Sequence, residues 1–249
     1  MSGHSKWSSI KHQKGVTDAR RSRLFTKLTK EIIVAVRESG GNPEANYRLR
    51  LAVHKAKGSN MPSENIERAI KRGEGTLEGS TLVEFVLEGY GPGGTAILVD
   101  MLSDNRNRAI QEVRNAFTKA GGNLGESGSV AWQFELKGLI IVETNGQDAD
   151  ELSLKAIDAG ADDVKTERGY IEIYTQPKKL EVLKNNLEQA GLKIYSTELA
   201  KIPKNTIDLD DRTATQVLRL LDKLEELEDT KSVCSNVDFS EEVLEKYEV

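Results

Sequence analysis

Gly138 to Glu167 reads GLIIVETNGQDADELSLKAIDAGADDVKTE, and it aligns without a gap on Gly169 to Glu198, GYIEIYTQPKKLEVLKNNLEQAGLKIYSTE. The offset is 31, and eight of the 30 pairs are identical, among them Thr144/Thr175, Leu152/Leu183, Ala159-Gly160/Ala190-Gly191 and Thr166-Glu167/Thr197-Glu198. Each copy reads strand, helix, glycine stop, strand. Two copies in tandem make βαββαβ, the ferredoxin-like split arrangement and a compact α+β domain.

The segments on either side lack partners of their own. Before the repeat, TLVEFVLEGYGP and GGTAILVDML read as two strands joined by a Gly/Pro turn, a helix follows from about Asn105 to Ala120, and SVAWQFEL reads as a strand. After it, DRTATQVLRLLDKLEELED has a helical leucine face at Leu218, Leu221, Leu224 and Leu227, and SVCSNVDF reads as a last strand. These pieces are expected to close on each other, so that the repeat is an insertion into a discontinuous domain. Domain termini usually lie close together, which makes such insertions cheap.

Further upstream the pattern is helical. A first helix from about Asp18 is stopped by Gly40-Gly41, a second is expected to start at Asn42-Pro43 with Asn42 as its cap, and a third to start at a Ser63 cap and end at Gly73. The fold class is thus α+β with three domains: residues 1–79 a basic three-helix domain, 80–136 and 200–249 the discontinuous α+β middle domain, and 137–199 the inserted ferredoxin-like domain.

Charge divides the chain the same way. Residues 1–79 hold 16 Lys and Arg against 8 Asp and Glu, and the remainder 19 against 32, so a net −5 conceals a head of +8 and a body of −13. Such asymmetry points to a polyanionic partner for the head. On a helix from Asp18, Arg20, Arg23, Lys27, Lys30 and Arg37 share one stripe interrupted by Val34, with Arg21 alongside in the same run, while Phe25, Leu28, Ile32 and Val36 lie roughly opposite. Ahead of it, Lys6, Trp7, Lys11, His12 and Lys14 form an arm in which cations surround one indole able to stack on a base. A basic face is ordinarily solvated surface and a tryptophan ordinarily a core anchor. Arm, stripe and asymmetry coincide here, and together they point to nucleic acid.

Composition bounds the other classes. With 37% hydrophobic and 30% charged residues the chain reads as globular, and its longest aliphatic runs, such as Ile32 to Val36, fall far short of the ~20 residues a membrane span needs. The first ten residues carry His4, Lys6 and four serines where a secretory signal would be apolar. Cys234 is the single cysteine, which excludes an internal disulfide and fits a reducing compartment. No HExxH, CxxC, GxxxxGK[ST] or GxSxG motif occurs, so neither a metal, a cofactor nor a catalytic residue is expected.

Three stretches remain open to more than one reading. Gly89-Tyr90-Gly91-Pro92-Gly93-Gly94 resembles a phosphate cradle, the basis for a less favoured nucleotide-binding enzyme, but it joins two strands and opens no helix, so a tight turn is expected. In Asp104-Asn105-Arg106-Asn107-Arg108, arginines in a first helical turn oppose the helix dipole, so Arg106 and Arg108 either form a second nucleic-acid contact or answer to Asp104 as cap and ion-pair partner. Tyr170, Glu172 and Tyr174 share the sheet face opposite the helices, where RNA-recognition modules stack bases; Glu143 and Glu172 beside the rings favour docking against a domain or protein instead.

Certain motifs carry a resemblance over the whole length: GHSKW from Gly3, IKHQK from Ile10, LFTKL from Leu24, NMPSENIERAIKRG from Asn60, EGYGPGG from Glu88, DNRNR from Asp104 and GSVAWQF from Gly128. The chain resembles the YebC family, also called the PmpR family, whose mitochondrial relatives are translational activators of cytochrome c oxidase. It departs from the family pattern at Asn46-Tyr47-Arg48 and at His54-Lys55. The resemblance implies three domains, no enzymatic activity, a cytoplasmic location, and a DNA-binding transcriptional regulator. For many members it also implies a role on the ribosome, relieving stalls at sequences such as proline runs. The partners expected are thus duplex DNA or ribosomal RNA, with no membrane and no small-molecule substrate.

Overall fold

Apolar residues spaced three and four apart in residues 18–39 make the first helix, α1 (Asp18–Ser39), which buries Leu28, Ile32, Ile33, Ala35 and Val36. This is a computed structural model, and it describes residues 18–75, 81–167 and 169–248. The chain then makes a turn in which the Asn42 side chain accepts from the Glu44 amide at 3.0 Å, so Asn42 is not a helix cap. Helix α2 (Tyr47–Gly58) begins later, capped by Asn46, whose Oδ1 accepts from the Leu49 amide at 3.0 Å. The buried Asn46 amide group also donates to the Ala35 and Gly40 carbonyls at 2.7 and 2.8 Å, tying the start of α2 to the end of α1. Helix α3 (Ser63–Gly73) has Pro62 at its cap position with no side-chain bond, so Ser63 is its first residue and not its cap. Gly73 is buried against α1: a Cβ there would lie 2.6 Å from Val36 Cβ and 3.1 Å from the Ile33 carbonyl oxygen, so the close crossing of α3 on α1 requires glycine.

Beyond residue 80 the period becomes two. Strands β1 (Val83–Tyr90) and β2 (Ala96–Ser103) form an antiparallel hairpin, joined by a 3-10 turn over Pro92–Gly94 in which Gly93 adopts φ 69°. Helix α4 (Arg106–Lys119) and the short β3 (Asn123–Leu124) follow, then a second 3-10 turn over Ala131–Gln133 where an extended segment was expected, and β4 (Phe134–Glu143). After the repeat come α7 (Asp211–Glu226), β8 (Thr230–Ser235) and a helix the sequence pattern did not announce, α8 (Glu241–Glu248). β8 pairs antiparallel with β2, giving the sheet order β3-β1-β2-β8, so segments more than 100 residues apart share one sheet. One face of it buries Leu87, Val99, Val113, Phe117, Leu218, Leu221, Val233 and Phe239 under the helices; the other buries Ala96, Leu98, Val130, Phe134 and Cys234.

The chain divides into two compact units, one of Glu135–Ile202 and one of the described residues through Phe134 together with those from Pro203 onward. The first contains the repeat: β4, α5 (Ala149–Asp158), β5 (Asp163–Glu167), β6 (Tyr170–Thr175), α6 (Leu180–Gln189) and β7 (Ile194–Pro203), in sheet order β5-β6-β4-β7. That is the ferredoxin-like order, with Ile140, Val142, Ile171 and Ile173 packed against Leu152, Ala156, Leu183 and Leu187 of the two helices. On the opposite face Tyr174 and Glu172 are buried with Leu139, Ile141 and Ile202, and the Tyr174 hydroxyl donates to the Glu172 carboxylate. The Tyr174 ring is therefore not an open platform for bases, and Tyr170 beside it is half-buried.

Candidate nucleic-acid interface

The basic stripe of α1 has two environments. Near its middle, Lys27 Nζ donates to the Glu225 carbonyl oxygen, and Lys30 Nζ lies 2.7 Å from Asp229 Oδ1 and 3.4 Å from Glu228 Oε1. The physical cause is in the sequence of the body: α7 ends at Glu225-Glu226 and Leu227-Glu228-Asp229 follow, so carboxylates add to the unsatisfied carbonyls of a helix C-terminus, and cations are favoured there. Lys30 keeps only 16% of its side chain exposed, and Asp229 keeps 1%. The expectation that Lys27 and Lys30 face a partner is corrected accordingly, since both face the body of their own chain.

The ends of the stripe differ. Arg23 and Arg37 are exposed, as is Arg21, which leaves α1 on another side. Arg20 belongs to α1; Lys6, Trp7, Lys11, His12 and Lys14 lie outside the described residues. Four further exposed cations, Lys55 and Lys57 on α2 and Arg68 and Lys71 on α3, were not singled out as contacts from the sequence, and Lys55 pairs with Glu31 at 3.0 Å. Their signal was available, because in NIERAIKR the core positions Ile66 and Ala69 leave Arg68 and Lys71, three apart, on the outward side.

Arg106 and Arg108 separate as well. The α4 cap is Asn105, whose Oδ1 accepts from the Arg108 amide at 3.1 Å, and not Asp104. Asp104 instead pairs with the Arg108 guanidinium at 3.0 Å, and the same guanidinium reaches Asp229 at 2.8 Å. Arg108, though 47% exposed, thus belongs to the body's own ion cluster, and Arg106 is exposed over the Phe85 ring at 4.9 Å.

Asp229 is the hub of that cluster: Lys30, Arg108 and the Ser103 hydroxyl, at 2.7 Å, all donate to it. Burial pushes its carboxyl up, but the bonds from Arg108, Lys30 and Ser103 outweigh burial and hold it below the usual aspartate range. A second latch lies on β1, where Glu84 pairs with Arg48 of α2 and, at 3.1 Å, with Lys231 of β8; Arg48 also bonds Glu38. Burial raises the Glu84 carboxyl, and its two cationic partners lower it further than burial raises it.

Opposite in character is the loop before β4. Glu88, 5% exposed, accepts from three backbone amides, Gly128 at 2.6 Å and Val130 and Ala131 at 2.8 Å, and the Tyr90 hydroxyl donates to the Ser129 carbonyl at 2.9 Å. The EGYGPGG and GSVAWQF motifs are joined by these bonds. The Gly-rich hairpin turn itself packs on the body, since a Cβ at Gly93 would meet Leu209 at 2.7 Å and Thr213 at 2.9 Å. Among the described residues no three His, Cys, Asp or Glu side chains are grouped to hold a metal, and no helix is long and apolar enough to cross a membrane.

Comparison with known proteins follows the same division. Residues 5–76 match the profile described as the TACO1/YebC protein N-terminal domain, and residues 82–237 that of the TACO1/YebC second and third domain. A protein of Dehalococcoides mccartyi is 61% identical over 247 residues, covering 99% of this chain and 98% of its own, and one of Halothermothrix orenii is 51% identical over 249 residues at the same coverage. Both are named "probable transcriptional regulatory protein". The crystal structure of a conserved hypothetical protein from Aquifex aeolicus superposes with a TM-score of 0.84 at 49% identity, over 90% of this chain and 93% of that one.

Proposed function

The chain belongs to the TACO1/YebC family, and from that premise we propose that it is a non-enzymatic cytoplasmic regulator that binds nucleic acid through its helical head, as a DNA-binding transcriptional regulatory protein. The observation that carries this reading is the exposure of Arg21, Arg23 and Arg37 on α1, in a head of net charge +8 attached to a body of −13. Exposed cations on a compact helical unit neutralise phosphates, while an acidic body is repelled from the same polyanion. The names of the relatives support a regulatory role. The reading is tested by titrating the full chain with duplex DNA at several salt concentrations, where binding that weakens linearly in log salt supports it and no binding at low salt removes it.

A second reading, a translation factor on ribosomal RNA, is favoured by Trp7 among the cations of the arm, since splayed bases are more available in RNA. Sedimentation of the protein with ribosomes after DNase treatment of a lysate separates the two. A nucleotide-binding enzyme is the least supported reading, and a melting temperature unchanged by ATP or GTP removes it.

A further inference from the structure

Trp132 is 66% exposed, in a loop whose backbone is fixed on every side. Upstream, the buried Glu88 carboxylate holds Gly128, Val130 and Ala131, and Val130 is itself fully buried in the sheet's core. Downstream, the Gln133 carbonyl accepts from the Lys204 amide at 2.8 Å and the Gln133 side chain accepts from Asn236 at 3.2 Å. The indole N–H donates to the Ser129 carbonyl at 3.1 Å, and the Trp132 carbonyl accepts from Lys204 Nζ at 2.8 Å.

A large apolar ring held in solvent at a fixed angle loses little conformational freedom when something covers it. With its N–H already satisfied inside the loop, what the ring presents outward is its π face. The surroundings decide what fits that face. The preceding residues, Gly125 to Ala131, are small or polar except for the buried Val130, and Glu126 among them is acidic and exposed. Val83 and Val86, the other exposed large hydrophobics of this unit, lie on β1 and not in the loop. A protein hot spot is ordinarily ringed by further packing residues that exclude water, and this loop supplies none. It supplies one ring and, at its base, the exposed ammonium of Lys204, which has donors to spare for an anion. A flat π surface beside a phosphate is the chemistry of an unpaired nucleotide.

We propose that Trp132 and Lys204 form a second nucleic-acid contact, on the body of the protein, in which an unpaired base stacks on the indole and its phosphate meets the lysine. This rests on the nucleic-acid reading above and adds to it a preference for single-stranded or splayed segments. The repulsion of the acidic body from phosphate makes such a contact local, reached only by a strand already held at the head.

The chain has two tryptophans, so in the full-length Trp7→Phe protein Trp132 is the sole indole emitter. That protein is titrated with a labelled single-stranded oligoribonucleotide, the matching oligodeoxyribonucleotide, and inorganic polyphosphate, with binding followed independently by anisotropy of the label. The expected result is quenching of Trp132 emission in step with binding of either oligonucleotide and none with polyphosphate; quenching by only one oligonucleotide supports the contact and names its source. In the otherwise unaltered chain, Trp132→Ala weakens single-strand binding by about 5- to 150-fold with the salt slope unchanged, and Trp132→Phe restores most of it. Oligonucleotide binding with unchanged Trp132 emission and parental affinity in Trp132→Ala overturns the contact, leaves the head-binding reading standing and assigns the ring to a protein partner. No binding of any nucleic acid by the otherwise unaltered chain overturns both.

Discussion

Lys30 of the basic helix and Asp229, between α7 and β8 of the acidic body, form an ion pair of 2.7 Å, with Asp229 almost wholly removed from solvent. The contact couples the two oppositely charged parts of the chain, and it spends on the fold a cation that the sequence pattern assigned to a ligand. A buried carboxylate with three donors is stable only while they all remain, because loss of one partner leaves the others desolvated without compensation.

Asp229→Asn should therefore lower unfolding stability by about 3 kcal/mol, read from denaturant midpoints at pH 7. The carboxyl's folded pKa is depressed, so its contribution is present above the ordinary aspartate value and is lost as pH falls through the folded value. The gap between parent and variant should narrow below about pH 4; a gap constant down to pH 2 would show that the charge of Asp229 contributes nothing.

Gly73→Ala tests the crossing of α3 on α1. Alanine is the better helix former by about 1 kcal/mol, so propensity alone predicts stabilisation. The approach of a Cβ to Val36 at 2.6 Å predicts instead a loss of about 1 to 3 kcal/mol, and thermal melts give the sign.

Glu88→Ala leaves three loop amides without their acceptor. Stability should fall by about 4 kcal/mol or more, since the three bonds to a charged group are each worth about 1.5 to 3 kcal/mol. Hydrogen exchange should quicken at Gly128, Val130 and Ala131 in the variant; protection equal to that of the parent would mean that the loop is held by other means.

The repeat, every helix but α8 and the joining of strands across the insertion were legible in the sequence, because periodicity and glycine stops are local signals. Helix starts were less so: Asn42 and Asn46 are both competent caps, and the choice of Asn46 is made by its side chain reaching Ala35 and Gly40 across a turn, a tertiary contact. Residues 131–133 coil into a 3-10 turn because Glu88, more than 40 residues away, captures the amides that a strand would have offered to a neighbour. The candidate site was legible in its charge but not in its orientation. Helical angles place Lys27 and Lys30 beside Arg23 and Arg37, yet nothing local says that Glu225 to Asp229, some 200 residues on, would take the middle pair.

This division of the stripe is open to one direct measurement, the slope of log K against log salt for nucleic-acid binding. Neutralising Arg21, Arg23 and Arg37 together with glutamine should make the slope shallower by about 2 to 3, while Lys27→Gln with Lys30→Gln should lower stability and leave the slope as it was. A slope unmoved by the arginine variant, or flattened by the lysine variant in protein that remains folded, would contradict the assignment.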